Sequence, residues 1–587
     1  MKAASLFLIL MVLSSAAVAE TATAPIPYIE TFEVRLHNLD VVVTDAKGRP
    51  VHGLTSADFV VVDNGVPQPI TNFSVYDVSA ASATSVPVTS GQAGAETETM
   101  VSAPPARRIV FFIDELTIQR MARNRLYASV KTFVDAMREG DVAAVVRPTS
   151  KEKITQEFTG DRAAIERRLK EAIDQGDVQP IGSIQEVAAL RIALKNAVAP
   201  MEVREAKREY ADAAARRVEH RLGQIRALTT SLAGIEGKKI VVLVTMGLSA
   251  QPGIEAWDFA ERLGALAQTP GIAELGPLEG DQIPLAEAIS ADDPTRTHGP
   301  SVHDLTPAIR EIARSAAANG VTIYALEPDV PLNLLVRGNA AIPGKMGRDQ
   351  HVRADPAMEL SGAFHGDLLQ NGEVTLASLT ETTGGRWFRG IGNIDDTFRQ
   401  VSEDVSFYYS LAYRATGETD TARKVKVSVR NRPELRVRTR TEVLAKSTGR
   451  EMSDLVVASL LYPRPVNELG IQVTAGTPEK AFGLYTIPLD VVVPMSSLTF
   501  LPAANGNYVA AFDLHYAAAG EQRDFGAGGK RQQLIEISPE QHAHLEGVNY
   551  RYKTGIQVSP GRARIAIGLL DTATKLTGFQ TVEVVTQ

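Results

Sequence analysis

The stretch Arg107-Arg-Ile-Val-Phe-Phe-Ile-Asp-Glu-Leu-Thr117 joins an apolar run to a pair of carboxylates. Residues 109 to 113 are all apolar, and the run stops at Asp114 and Glu115. A continuous apolar run is typical of a strand buried on both faces, as in the middle of a parallel sheet. Carboxylates that follow such a strand lie at the edge where open α/β sheets bind ligands. The stretch therefore predicts a buried strand and a site at its end.

Two later apolar runs have the same form. They are Lys238-Lys-Ile-Val-Val-Leu-Val-Thr-Met-Gly247 and Val321-Thr-Ile-Tyr-Ala-Leu-Glu-Pro328, and a helical pattern over residues 307 to 319 precedes the second. Strands that alternate with helices in this way predict an α/β domain with a doubly wound, mostly parallel sheet.

Length and composition limit the class of protein. A chain of 587 residues exceeds the size of one hydrophobic core, so several domains are expected. The formal net charge of -8 argues against nucleic acid as a general partner. The chain has no cysteine, which excludes thiol catalysis, iron–sulfur clusters and cysteine-bound zinc.

The first residues carry the pattern of a secretory signal peptide. Lys2 is followed by an apolar segment from Leu6 to Leu13 and by Ala17-Val-Ala19, a small-residue cleavage site before Glu20. The apolar segment is too short to span a bilayer, and no later segment reaches about 18 uninterrupted apolar residues. We expect cleavage after residue 19, no transmembrane segment, and a periplasmic or extracellular location.

The rest of the chain divides into units by pattern. We predict an N-terminal β module at 30–78, a linker at 79–106, an α/β domain at 107–445 that ends in a β-hairpin extension, and an all-β sandwich at 450–587. Within the α/β domain, residues 270–304 and 328–372 lack a periodic pattern and are predicted to be long loops. From about residue 450 no helical period is expected.

Residues 184–235 are predicted to be strongly helical. Pro200 should separate a shorter helix from a long one, whose apolar residues recur at threes and fours from Val203 to Leu232. The long helix also carries many basic residues between glutamates and an aspartate: Arg204, Lys207, Arg208, Arg216, Arg217, Arg221 and Arg226. We interpret these as a solvated, ion-paired face, with a docking surface for an acidic partner as the alternative.

Several stretches together resemble the von Willebrand factor A (VWA) domain, and specifically the VWFA-related proteins common in acidobacteria. The resemblance covers about residues 34 to 443. It rests on these stretches: Leu39-Asp-Val-Val-Val-Thr-Asp-Ala-Lys-Gly-Arg-Pro-Val, Gly53-Leu-Thr-Ser-Ala-Asp-Phe59, Asn64-Gly-Val-Pro-Gln-Pro-Ile-Thr-Asn-Phe73, Gly140-Asp-Val-Ala-Ala-Val-Val146, Phe158-Thr-Gly-Asp-Arg162, Gly237-Lys-Lys-Ile-Val-Val-Leu243, Thr383-Gly-Gly385 and Tyr408-Tyr-Ser-Leu-Ala-Tyr413. The fold class it implies is α/β, with a VWA-like doubly wound sheet.

The resemblance also implies where a divalent cation would bind. The family's metal site takes Asp-x-Ser-x-Ser after the first strand, a threonine from another loop and an aspartate after the fourth strand. Asp114 matches the first ligand, but Leu116 and Ile118 hold the two serine positions and Met246 holds the later aspartate position. These side chains carry no oxygen, and Mg²⁺ requires oxygen ligands. We therefore expect no cofactor and no bound metal.

Other patterns point to no catalytic chemistry. Asp114 and Glu115 are adjacent, so their side chains point in different directions and make a poor catalytic pair. The histidine pairs 298/303 and 542/544 lack a third ligand and are interpreted as surface residues. No nucleophile elbow, zinc-protease or P-loop motif is present.

These observations favour an exported, non-enzymatic protein that binds or scaffolds a protein partner. We predict that the partner contacts a crevice at the strand ends, formed by Asp114, Glu115, Leu116, Thr117, Met246 and Gly247. Metal-dependent adhesion through an altered cation site is one alternative. An envelope enzyme that acts from the long loops is the other.

Overall fold

The computed structural model describes residues 35–77, 100–102, 106–114, 117–118, 123–148, 154–174, 181–197, 199–245, 247–267, 303–328, 356–391, 406–415, 417–462, 466–481, 483–520 and 528–586. The predicted signal peptide, most of the loop at 270–304 and residues 329–355 of the loop at 328–372 lie outside the described residues. None of the helices within the described ranges is both long enough and apolar enough to cross a bilayer.

The strands are these: β1 (Leu36–Thr44), β2 (Phe59–Asp63), β3 (Val66–Gln68), β4 (Ile70–Asp77), β5 (Met100–Ser102), β6 (Arg107–Ile113), β7 (Val142–Val146), β8 (Ile154–Thr159), β9 (Lys238–Val244), β10 (Val321–Pro328), β11 (Trp387–Ile391), β12 (Phe407–Arg414), β13 (Ala422–Val429), β14 (Arg436–Arg438), β15 (Glu442–Leu444), β16 (Gln472–Ala475), β17 (Glu479–Ala481), β18 (Leu484–Pro494), β19 (Leu501–Pro502), β20 (Tyr508–Ala519), β21 (Gly529–Ile537), β22 (Asn549–Val558), β23 (Gly561–Asp571) and β24 (Thr577–Thr586).

The helices are these: α1 (Arg123–Asp135), α2 (Arg162–Asp174), α3 (Ile184–Asn196), α4 (Pro200–Ser231), α5 (Glu255–Ala267), α6 (Thr306–Ala318), α7 (Pro356–Thr383), α8 (Thr448–Ser459) and the short α9 (Pro539–His542). Pro200 begins α4, as predicted, because a proline at the first helical position lacks only an N–H that would have no partner there.

A six-stranded sheet in the order β11-β10-β9-β6-β7-β8 forms the centre of the molecule. Its strands are parallel except for β8, and Phe111 of β6 lies opposite Val242 of β9. Successive residues of β6 point to opposite faces, so Phe111 packs with α1 and α2 while Val110 and Phe112 pack with α3 to α7. Helices on both faces explain why the apolar runs of these strands are continuous.

Helix α7 corrects the prediction of a long loop at 328–372, because residues 356 to 372 are helical. Its three glycines lower helix propensity and concealed the pattern. Tertiary packing compensates, since Phe364, Leu376 and Leu379 are buried. Gly372 also lets α7 approach the turn at Gly247 closely: a Cβ atom on Gly372 would lie 2.8 Å from the Cα atom of Gly247.

Strands from both sides of the α/β domain form one β unit. β1 and β4 pair with β12, and β2 pairs with β13, which produces two sheets around a shared core that includes Phe59, Phe73 and Tyr409. The sequence patterns placed β1–β4 in a separate module and β12–β15 in a hairpin extension. The turn between β2 and β3 is formed by Asn64 and Gly65, with φ of 45° and 84°. The predicted linker contains strand β5, which pairs with β4.

The C-terminal residues form two antiparallel sheets around a single apolar core. Helix α8 precedes them, which contradicts the expectation that no helix follows residue 450. The hydroxyl of Ser447 caps this helix by accepting a hydrogen bond from the Arg450 backbone. Met452 and Val456 pack the helix onto the outer face of β20 and β23, so tertiary contacts stabilise a helix too short to be evident from its sequence.

We predict that Val242→Asp prevents folding. Val242 is 1% exposed, and an unpaired carboxylate buried there costs several kcal/mol, comparable with the whole stability of a domain. Val66→Asp is the matched control, because Val66 lies on a strand and is 56% exposed. Circular dichroism melts check both variants. A soluble Val242→Asp protein with an unchanged melting temperature would refute the assignment of a buried strand.

Candidate functional site

Asp114 lies at the topological switch point of the central sheet. In chain order, β6 is the first strand of this sheet and β9 is the fourth, and the two are neighbours in the sheet. From β6 the chain continues to β7 on one side, and from β9 it continues to β10 on the other side. Doubly wound sheets bind ligands in the crevice at this point. The Asp114 backbone N–H donates to the carbonyl of Val244 over 2.9 Å, which holds the two strand ends together.

The Asp114 carboxylate is fully buried, and its partner is an arginine from α4. Nε of Arg221 lies 3.1 Å from Oδ1 of Asp114, and both side chains are 0% exposed. The guanidinium also lies over Phe112, with 5.7 Å between Cζ and the ring centroid. A positive charge on the long helix is thus placed directly against the carboxylate at the end of the central strand.

Two threonine hydroxyls complete the surroundings of Asp114. Thr245 donates to Oδ2 over 2.8 Å, and the hydroxyl of Thr117 lies 3.1 Å from the same oxygen. The two hydroxyls are 2.9 Å from each other. The backbone N–H of Gly247 donates to the Thr245 hydroxyl over 3.1 Å. One carboxylate oxygen therefore faces the arginine, and the other faces a pair of hydroxyls.

The residues present do not fit a divalent cation. Oδ2 of Asp114 accepts a hydrogen bond from Thr245, and Oδ1 faces Arg221 in an ion pair that lacks hydrogen-bond geometry. Ile118, at a position that would need an oxygen ligand, is apolar and buried. In the part of the chain that the structure describes, the side-chain oxygens that contact this carboxylate are the hydroxyls of Thr117 and Thr245. Mg²⁺ in proteins is usually held by one or two carboxylates together with retained waters in an octahedral set. In the described ranges, no group of three or more His, Asp or Glu side chains is arranged to hold a metal ion.

The structure brings together three of the six residues predicted for the crevice: Asp114, Thr117 and Gly247. Asp114 is buried, while Thr117 and Gly247 are partly exposed. Glu115, Leu116 and Met246 lie outside the described residues. Helix α7 lies beside this edge, because the Ala250 N–H donates to the carbonyl of Asn371 over 3.3 Å.

Arg221 was predicted to lie on a solvated face of the long helix, and its place beside Asp114 was not predicted. Arg221 follows Val218 by three residues and precedes Ile225 by four, so it lies on the buried stripe of α4. Lys207 was misassigned for the same reason, because it precedes Tyr210 by three and is 3% exposed. The spacing of Arg221 and Lys207 along the apolar stripe could be read from the sequence. The mixed charges around them favoured the interpretation that they are exposed to solvent.

A second buried polar contact lies further along α4. The hydroxyl of Tyr210 donates to Oε1 of Glu255, the fully buried first residue of α5, over 3.2 Å. Burial raises the pKa of Glu255 to about 7, although the hydrogen bond from Tyr210 acts in the opposite direction. Lys207 lies over the ring of Trp257, with 5.5 Å from Nζ to the ring centroid. Helix α4 therefore carries Lys207, Tyr210 and Arg221 to polar or aromatic partners outside the helix.

The histidines of the two predicted surface pairs have ordinary partners where the structure describes them. Nε2 of His303 lies 2.8 Å from Asp212, and His542 stacks on Tyr508 with 3.9 Å between ring centroids. His544 is exposed, and its Nδ1 lies 3.1 Å from the carbonyl of Glu540. His298 lies outside the described residues.

No protein-family profile matches the chain, and no curated protein matches it. Among solved structures, an aerotolerance-related membrane protein from Bacteroides fragilis is similar at 11% identity and a TM-score of 0.21, over 51% of this chain and 98% of its own. A β-glucuronidase from Bacteroides uniformis is similar at 13% identity and a TM-score of 0.14, over 30% of this chain and 19% of its own. TM-scores this low carry no argument about fold or function.

We predict that Asp114 and Arg221 are energetically coupled. Arg221→Met should lower the free energy of unfolding by about 3–5 kcal/mol, because it leaves a buried carboxylate without its counter-charge. The double variant Asp114→Asn/Arg221→Met should cost less than the sum of the single variants, since it removes both charges. Denaturant unfolding measures all of these. Arg216→Met, on the exposed face of α4, is the control and should change stability by less than about 0.5 kcal/mol. Strictly additive costs would contradict the pairing.

A further prediction concerns pH. The folded-state pKa of Glu255, about 7, is above the ordinary glutamate pKa of 4.5, so the folded protein binds the proton more tightly than the unfolded chain. This stabilisation is complete below pH 4.5 and is lost as the pH rises through 7. Glu255→Gln removes the titration, so its melting temperature should rise relative to wild type between pH 5 and 8. Glu261→Gln, exposed on the same helix, should show no such trend. A pH-independent difference for Glu255→Gln would show that the group does not titrate there.

Proposed function

We propose that the chain is an exported, non-enzymatic protein that binds or scaffolds a protein partner through a VWA-like domain with a degenerate metal site. Three features support the VWA-like assignment: the resemblance of the sequence stretches, the strand order with β6 beside β9, and the position of Asp114 at the end of β6. The first and fourth strands are those that carry the metal site in the family it resembles.

One observation carries the proposal most directly, namely the ion pair between Asp114 and Arg221. In a metal-dependent site, a bound cation would neutralise the aspartate and coordinate the partner. Here the guanidinium of Arg221 already neutralises it, and the pair is 0% exposed. The partner would therefore be held by direct contact rather than through a cation, and binding would not depend on divalent metal.

The proposed contact surface is the edge around Thr117 and Gly247, which are partly exposed, together with Glu115, Leu116 and Met246 from the predicted crevice. Apolar side chains beside polar ones are the usual composition of a protein-binding surface. The buried and hydrogen-bonded state of Asp114 supports a non-enzymatic role, because a carboxylate without access to a substrate cannot transfer a proton to it.

The test of the proposal is partner capture with and without metal. The mature protein is immobilised and incubated with envelope extract in EDTA or in millimolar Mg²⁺, Mn²⁺ or Ca²⁺, and captured proteins are identified by cross-linking and mass spectrometry. We expect the same partner in every condition. Leu116→Glu or Met246→Glu should weaken its binding by about tenfold or more at an unchanged melting temperature.

The matched control is Val374→Glu, which places the same charge on an apolar residue of α7 that is 55% exposed. This variant should capture the partner as well as wild type does. Capture that requires a cation and is lost in Asp114→Ala would favour metal-dependent adhesion instead. Turnover of a captured component in the presence of wild type alone would favour an enzyme.

A further inference from the structure

A cavity of about 450 Å³ lies at the N-terminal ends of the central parallel strands, opposite the strand ends that carry Asp114. One wall is formed by the first residues of β9 and β10 and by the end of α6, and the other by β1, β4 and β12 of the β unit. The cavity therefore lies where the α/β domain meets the β unit, a place where ligand pockets commonly occur, and its volume is typical of such pockets.

Four basic side chains line this cavity, and two of them lack an acidic partner. Lys238 lies 3.3 Å from Asp40, and Lys446 lies 2.6 Å from Asp454. Within the described part of the chain, neither Lys239 nor Arg440 forms an ion pair. The guanidinium of Arg440 donates instead to the carbonyls of Ala317 and Asn38, over 3.3 and 2.5 Å. Asp40, which is paired with Lys238, acts on this guanidinium at longer range without forming an ion pair with it.

The two uncompensated cations are close together. A Cβ atom built on Gly320 would lie 3.3 Å from Nη1 of Arg440 and 3.9 Å from Nζ of Lys239. Burial, together with the charges of Lys446 and Arg440, lowers the pKa of Lys239 to about 7, with Asp454 acting weakly in the opposite direction. Like charges held at short range in a partly closed cavity are destabilising, so an anion placed between them would relieve a cost that the protein otherwise carries.

An unsatisfied amide lies at the same place. Asn319 lines the cavity, is 6% exposed, and its Oδ1 has no hydrogen-bond partner in the described residues. The oxygen and nitrogen of an asparagine amide are interchangeable by a simple rotation, and the rotated amide would direct its N–H₂ group to the position that Oδ1 now holds. A buried polar group without a partner indicates that a ligand or water completes it.

We propose that this cavity binds a phosphate group, free or as a small phosphate monoester, between Lys239, Arg440 and Asn319. Lys239 and Arg440 can together carry two positive charges. These match the double negative charge of phosphate better than the single charge of a carboxylate. The planar guanidinium and the ammonium are the side chains that proteins use to bind phosphate oxygens. Tyr76 and Tyr408, stacked at 4.9 Å between ring centroids, also line the cavity and offer an apolar surface for the remainder of an ester.

Isothermal titration calorimetry with inorganic phosphate and with glycerol 3-phosphate tests the proposal on the full mature chain. We expect binding at pH 7 that weakens about tenfold or more in Lys239→Met, because a charge-assisted contact is lost. Lys426→Met, an exposed lysine on β13, should bind as wild type does. Tighter binding of one probe identifies whether the free ion or the monoester is the ligand. If neither probe binds at a concentration of about 10 mM, the proposal is overturned. It is also overturned if Lys239→Met binds a probe as tightly as wild type does.

A second measurement separates a bound ligand from loss of folding. Lys239→Met should have a melting temperature at pH 7 equal to or above that of wild type, because it removes an unpaired cation. Binding should also take up a proton at pH 8, since an anion raises the pKa of a lysine that is otherwise largely neutral there. Sulfate does not titrate in this range, so any proton taken up when it binds goes to the protein. The buffer supplies that proton, so the binding enthalpy in wild type should depend on the buffer. In Lys239→Arg the enthalpy should not depend on the buffer. A buffer-independent enthalpy in wild type would contradict the role of Lys239.

Discussion

The buried carboxylate at the end of β6 constrains the architecture of the α/β domain. An uncompensated charge at this depth costs several kcal/mol, so Asp114 requires a counter-charge that is also buried. Helix α4 supplies Arg221 from the last third of its 32 residues, which fixes how the helix lies across the strand ends. The start of the same strand has a second buried pair, Arg107 and Asp141, at 2.5 Å. The central strand is therefore held by a buried ion pair at each end.

The two edges of the sheet have opposite electrostatic arrangements. At the edge with Asp114, every charge that the structure describes near the carboxylate is compensated, and the surface available to a partner is neutral or apolar. At the opposite ends of the strands, Lys239 and Arg440 form no ion pair within the described residues and lie beside a cavity. Strand ends whose charges are paired favour direct contact with a protein. Strand ends with excess positive charge favour binding of a small anion. The two proposed sites can therefore be tested separately.

Much of the central fold could be predicted from local pattern, because buried parallel strands and amphipathic helices leave strong periodic signals. The strands β6, β9 and β10 and the start of α4 at Pro200 are examples. Helix α7 could not be predicted in the same way, since its glycines weaken the helical pattern and one of them, Gly372, is explained only by the close approach to Gly247. The pairing of β1 with β12 joins residues more than 350 positions apart, and no local pattern encodes such a partner.

The candidate site was predictable in part. The position of Asp114 followed from the end of an apolar run, but its partner Arg221 is 107 residues away and lies among exposed basic residues that conceal it. Crystals soaked in Mn²⁺ and measured for anomalous scattering test the central claim most directly. The account predicts no manganese at Asp114, with Arg221 remaining at about 3 Å from the carboxylate. A manganese peak at about 2.2 Å from Asp114, with Arg221 displaced, would contradict it.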